Sequence, residues 1–131
     1  MIDVENEIFN AVYDMVAPLC AKNSFKSVST PMPTAFPAVA LFEMDNATDT
    51  VRRSTQTDED YADLTYEAHI YATTKAESRK VFKALDDALM KLNMNRMSGD
   101  FTPSQTNTKV HEYVARYRVK VDQDGNLYRR R

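Results

Sequence analysis

Glycine is almost missing from this chain: Gly99 and Gly125 are the 2 present. That scarcity excludes a glycine-rich loop able to cradle a phosphate. Cysteine is nearly missing too. The 1 thiol, Cys20, rules out an intrachain disulfide and a cysteine-rich metal framework. It lies beside Leu19 in an apolar helix and reads as a buried thiol, not a nucleophile. No stretch approaches the roughly 18 uninterrupted apolar residues of a membrane span. The opening MIDVENEIF is acidic and unlike a signal peptide. A strong positive balance is also lacking. The net charge of -2 gives no support for general nucleic-acid binding, although it leaves room for a local basic patch.

What is present suits one folded domain over 1–131: a hydrophobic content of 43% supplies a core. The stretch Asp63–Leu92 organises it. In DLTYEAHIYATT, Leu64, Tyr66, Ala68, Ile70 and Ala72 alternate with Asp63, Thr65, Glu67, His69 and Tyr71. That period of two predicts a strand with one buried face and one wetter face carrying Glu67 and His69. The period then changes. Thr74 and Glu77 have the spacing of a capping box. Val81, Phe82, Leu85, Ala88, Leu89 and Leu92 come next at helical spacing, opposite Lys80, Lys83, Asp87 and Lys91. Burying the larger of these apolar side chains contributes roughly 1.5–3 kcal/mol each, mostly offset by chain ordering. Such a helix needs a sheet to lie on.

Elsewhere the pattern predicts a first helix near residues 3–22, capped by Asp3 and weakened at Pro18. A Ser/Thr/Pro-rich connector occupies 23–37. Ala38–Met44 reads as a strand apolar on both faces, which favours a covering partner, with Asp45-Asn46 as its end. Residues 46–60 read as a polar loop or hairpin arm, with Arg52 and Arg53 near its middle. Gly99-Asp100 is a turn signal, with Phe101 anchoring a short strand before Pro103. In VHEYVARYRVKV, His111, Tyr113, Ala115, Tyr117, Val119 and Val121 form an apolar face. Val110, Glu112, Val114, Arg116, Arg118 and Lys120 form a basic one. Asp124-Gly125 is a hairpin turn signal, and Arg129–Arg131 complete a basic hairpin or tail over 122–131. The resulting fold is α/β in the α+β sense: a small antiparallel or mixed sheet, both helices on one face, and a long polar arm.

No catalytic, cofactor or metal constellation emerges. His69 and His111 sit on separate strands and read as surface or partly packed residues. Asp58, Glu59, Asp60 and Asp63 lack the spacing of a cation loop. They read as a salt-bridging shoulder for Arg52 and Arg53 or for a neighbour's Arg116 or Arg118. The basic strand face with the terminal arginines keeps open a small nucleic-acid-binding or regulatory module.

The chain also resembles a known family. FPAVALF at Phe36–Phe42, the polar insertion, DLTYEAHIYATT at Asp63–Thr74, the second helix and YVARYRVKV at Tyr113–Val121 keep the element order of the tail terminator, or minor tail, proteins of long-tailed bacteriophages, the lambda type among them. The resemblance spans most of the chain and rests on no catalytic signature. It implies a non-enzymatic virion protein that forms a hexameric ring, whether or not it is a monomer in solution. Such a ring ends tail-tube polymerisation and offers the head-tail joining surface. The implied partners are the tail tube protein, the head-tail connector protein and DNA passing non-specifically through the lumen, with no membrane. The implied location is the virion, after assembly in the host cytoplasm. Neck and head-completion proteins of adjacent layers share this size and shape. Interface candidates are Arg52, Arg53, Asp58, Glu59, Asp60, Glu67, His69, Tyr71, Val114, Arg116 and Arg118.

Overall fold

The computed structural model describes residues 1–22, 24–27, 35–50, 59–103 and 110–128. In chain order these form α1 (Glu5–Val16), a 3-10 turn (Ala17–Leu19), β1 (Phe25–Lys26) and β2 (Ala38–Thr48). Then come β3 (Tyr61–Ala72), α2 (Lys75–Lys91), β4 (Asn95–Pro103), β5 (His111–Asp122) and β6 (Leu127–Tyr128). The six strands make one mixed sheet in the order β1-β2-β3-β5-β4, with β6 also on β5. β1 runs parallel to β2, and the other pairs are antiparallel. Both helices cover one face, giving the α+β fold that the two periodicities predict.

The core lies between that face and the helices. Ile8, Val12 and Val16 of α1 meet Val81, Leu85 and Leu89 of α2. Below them lie Leu64, Tyr66, Ala68 and Ile70 of β3 and Ala115, Tyr117, Val119 and Val121 of β5. The alternation predicted for both strands is therefore the one observed. Buried tyrosines find polar partners at the core margin. Tyr66 donates its hydroxyl hydrogen to Glu43 at 3.2 Å, and Tyr117 donates to Asp86 at 2.7 Å. Burial, reinforced by these carboxylates, pushes both hydroxyls well above the usual tyrosine range.

α2 is bounded by local chemistry. The Glu77 amide donates to the Thr74 hydroxyl at 3.1 Å, the first bond of a capping box. At the other end Asn93 adopts φ 64, and the amides of Asn93 and Met94 reach back to the carbonyls of Met90 and Leu89. That is a Schellman stop, with buried Met94 closing over Leu89.

Several boundaries differ from the sequence expectation. α1 starts at Glu5 with Val4, not Asp3, at the N-cap, and ends at Val16; Pro18 then sits in the 3-10 turn. β2 does not stop at Asp45-Asn46. A bulge between Glu43 and Asp45 absorbs one residue, and the ladder continues to Thr48. The extra residue reverses the facing of the rest of the strand. Asn46 therefore points to the core side, where its side-chain amide donates to the Ile2 carbonyl at 2.8 Å. β4 likewise runs straight through Gly99-Asp100, so that pair is no turn. A Cβ at Gly99 would collide with the Tyr113 hydroxyl; the glycine is there for close approach of strand and ring. The Asp124-Gly125 turn does form, with Gly125 at φ 85.

The two-sided apolar strand is satisfied within the chain. Val39 and Leu41 enter the main core, while Ala38 joins a smaller cluster with Tyr71, Val110 and Phe36 on the opposite face. Ala38 and Ala40 are buried on that face, while Phe42 beside them is half-buried. Cys20 is half-buried, with burial pushing its thiol up to about 11.

Candidate interface on the uncovered sheet face

The face turned away from the helices is organised by register. Rows across β2, β3 and β5 read Ala38–Tyr71–Glu112, Ala40–His69–Val114, Phe42–Glu67–Arg116, Asp45–Thr65–Arg118 and Ala47–Asp63–Lys120. Directly opposed side chains on one face lie close enough to interact. This register therefore decides which charges meet.

His69 is the hub of the upper rows. Its Nε2 lies 2.7 Å from Glu67 and its Nδ1 lies 2.8 Å from Glu112. A neutral imidazole carries one N–H, so both hydrogen bonds form together only with a proton on each nitrogen or on one carboxyl. Phe42 stacks on one side of the ring, at 5.7 Å and 12°, and Tyr71 neighbours it at 6.3 Å and 14°. Arg116 Nε stands 3.7 Å from Glu67. Burial and the neighbouring Glu112 raise the Tyr71 hydroxyl to about 12.

A second network lies at the other end of the face. The Lys120 ammonium bridges Asp49 and Asp63, the latter at 2.9 Å. Burial lowers the affinity of that amine for its proton. The hydrogen bonds to both carboxylates outweigh burial, and the amine ends above its ordinary range. Between the networks, Arg118 Nε is buried and has no hydrogen-bond partner among the described residues.

Of the sequence-predicted site residues, Glu67, His69, Tyr71, Val114, Arg116 and Arg118 do share this face. Tyr71 is 6% exposed, closed over by its apolar cluster, so it supports the face from beneath. Glu59 and Asp60 leave the group. Glu59 accepts the Thr48 hydroxyl and the Ile2 amide, which hold its carboxyl below the usual range against the effect of burial. Asp60 accepts Gln123 Nε2 at 3.0 Å. These contacts draw that part of the shoulder toward the N-terminal segment and the β5–β6 turn. Arg52, Arg53, Asp58 and the tail Arg129–Arg131 lie outside the described residues.

Sequence reasoning missed Phe42, Asp49, Glu112 and Lys120 as site members. Alternation places Lys120 and Glu112 beside the arginines, but only cross-strand register supplies their partners. His69 and His111 cannot share a metal, since they occupy opposite faces: His69 pairs with Val114, and His111 with Ala72. Among the described residues no group of 3 or more His, Cys, Asp or Glu could hold a metal ion, and no helix is long and apolar enough to cross a membrane.

No family model matches the chain, and no curated protein matches it. Among solved structures, it shares its fold with a chain of the "Virion of native gene transfer agent (GTA) particle". The TM-score is 0.64 at 17% identity, over 87% of this chain and 93% of that one. The likeness establishes the fold over nearly the full length of both chains.

Proposed function

We propose that this chain is a non-enzymatic structural protein of a phage-like virion, built into a ring at the end of the tail. The observation that carries this reading is the fold shared, almost end to end, with a chain of a gene transfer agent virion. The tail terminator resemblance in FPAVALF and in the strand-to-helix passage supplies the finer role. The ring, a hexamer in that family, stops tube polymerisation and offers the surface on which the head-tail connector is received. DNA crosses its lumen without sequence-specific contacts. Assembly takes place in the host cytoplasm.

The sheet face turned away from the helices suits the docking side, with the Arg116 side chain 48% exposed on it. Its charged groups are held in fixed positions by partners on adjacent strands, so little side-chain freedom is lost on contact. Val114 and Phe42 add apolar area between the charges. In this reading Arg52 and Arg53, within the polar 46–60 segment, contact a neighbouring subunit or the tube.

A neck or head-completion role in an adjacent layer draws on the same observation, since the likeness is to a chain of a whole particle and singles out no layer of it. The nucleic-acid module is less favoured. Arg116 and Lys120 of the basic strand are already matched by Glu67, Asp49 and Asp63.

Native mass measurement of the purified protein, alone and with tail tubes, tests the ring. The expected result is a closed oligomer seated at tube ends, with tubes that no longer elongate. A chain that stays monomeric in every condition, with tubes growing unchecked beside it, would overturn the reading.

A further inference from the structure

Away from the open face, the chain carries two grooves of opposite charge. The first lies between α2 and the β4 edge, about 620 Å³, and is lined by Arg79, Lys83 and Arg96 over Phe82 and Tyr113. Its lining carboxylate, Asp86, is already engaged: Arg96 donates to it at 3.2 Å and the Tyr117 hydroxyl at 2.7 Å. The two rings pack on each other at 4.2 Å, and Arg96 lies 5.7 Å over Phe82. Their faces are thus occupied, which disfavours base stacking and leaves a basic, partly apolar trough. Bare Gly99 keeps it open, because a side chain there would displace Tyr113.

The second groove, about 590 Å³, lies where the N-terminal segment meets the β5–β6 turn. Among the described residues Asp3, Glu7, Glu59 and Asp124 line it with no lysine or arginine; the Met1 ammonium lines it too, 3.6 Å from Glu59. Glu7 and Asp124 are exposed. Tyr113 of β5 and Gln123, just beyond the end of β5, mark the two grooves. Ten residue steps separate them, about 33 Å at roughly 3.3 Å each. A Debye length is about 8 Å at physiological salt, so the grooves do not neutralise each other within one chain. The rigid strand also forbids their meeting.

Two unlike complementary patches fixed on one body are what a head-to-tail contact requires, and such contacts close into a ring where the rotation from copy to copy closes. We propose that the acidic groove of one copy docks on the basic groove of the next, with Glu7 and Asp124 facing Arg79 and Lys83. The proposal rests on the ring reading above. It assigns the lateral contact to these grooves and leaves the open sheet face for the axial partner.

The test uses two charge-reversed forms of the full chain, R79E/K83E and E7K/D124K, and the quadruple variant. Circular dichroism and melting temperature verify that each is folded. Each double variant should need at least about tenfold more protein to assemble, because like charges then oppose. Mixing the two doubles, or combining all four changes, should restore assembly. If wild type assembles and either double assembles equally well, or rescue fails with all forms folded, the groove contact is wrong and the ring reading stands. If R79E/K83E loses heparin binding while assembly is unchanged, the basic groove serves a polyanion and the proposal falls. A wild type that never assembles, even on tubes, removes the ring reading and this contact with it.

Discussion

The two faces of the β3–β5 pair are made from alternate residues of the same strands, yet they are stabilised differently. On the helix side, Leu64, Ile70, Ala115 and Val119 are fully buried against α1 and α2. Their gain is non-directional and proportional to apolar area, so many residue choices at each position would serve. On the open side, Glu67, His69, Glu112, Asp63 and Lys120 are held by partner-specific contacts. Those gains are individually modest, but leaving one partner alone is costly. The helix side secures the fold; the open side fixes a charge pattern that a partner can meet.

The sharpest way to break the first side is Leu85→Ala. Leu85 is 0% exposed, and its truncation should cost about 2–5 kcal/mol, read as a fall in urea midpoint at unchanged slope. On the second side, Lys120→Met should have the largest effect, about 2–3 kcal/mol, because it removes the ammonium shared by Asp63 and by Asp49, itself 6% exposed. Adding Asp49→Asn should recover part of that loss. A stability unchanged by Lys120→Met would mean that the ion network contributes nothing to folding.

Replacing His69 by Leu should cost about 1–2 kcal/mol, since Glu67 and Glu112 would each lose a hydrogen-bond partner. The same size of loss for a core-side Ala115→Gly would erase the distinction between the faces.

Alkaline titration tests both sides together. Tyr66, Tyr71, Tyr117 and Lys120 all hold their protons more tightly in the folded chain than in the unfolded one. Unfolded tyrosine and lysine titrate at about 10 and about 10.4. The contribution is therefore complete below about pH 10 and is lost as pH rises through the folded values, near 12 for Tyr71. Urea midpoints should drop steeply above about pH 10, and Tyr71→Phe should flatten part of that slope. The smallest effect is expected at the exposed bulge: Met44→Ser, at a side chain 48% exposed, should stay within about 0.5 kcal/mol.

Much of this architecture was legible in the residues. The alternation in β3 and β5, the Thr74–Glu77 cap, the α2 stripe and the Gly125 turn are local features. Each needs only backbone geometry and side-chain period to be read. The bulge at Met44 was not legible, because one added residue leaves the apolar count unchanged while reversing the facing of Asn46 and Thr48. Nor was the continuity of β4 through Gly99, since a glycine that relieves a close contact looks like one that makes a turn. The polar shoulder offered several partners to Glu59 and Asp60. The fold chose Thr48, Ile2 and Gln123, brought close by the N-terminal segment and the β5–β6 turn.

The amino-acid sequence by itself determined which side chains of each element are apolar, where α2 begins, and that two helices share one side of a sheet. Period and capping are properties of neighbours along the chain. Tertiary structure alone decided the pairing. Registers between strands set Glu112 against His69 and Lys120 against Asp63, and the packing of α2 on the sheet set Phe82 against Tyr113. It also decided that Ala38 on β2's outer face would pack with Tyr71, Val110 and Phe36. Those contacts join residues far apart in sequence, and their geometry exists only once the strands have aligned.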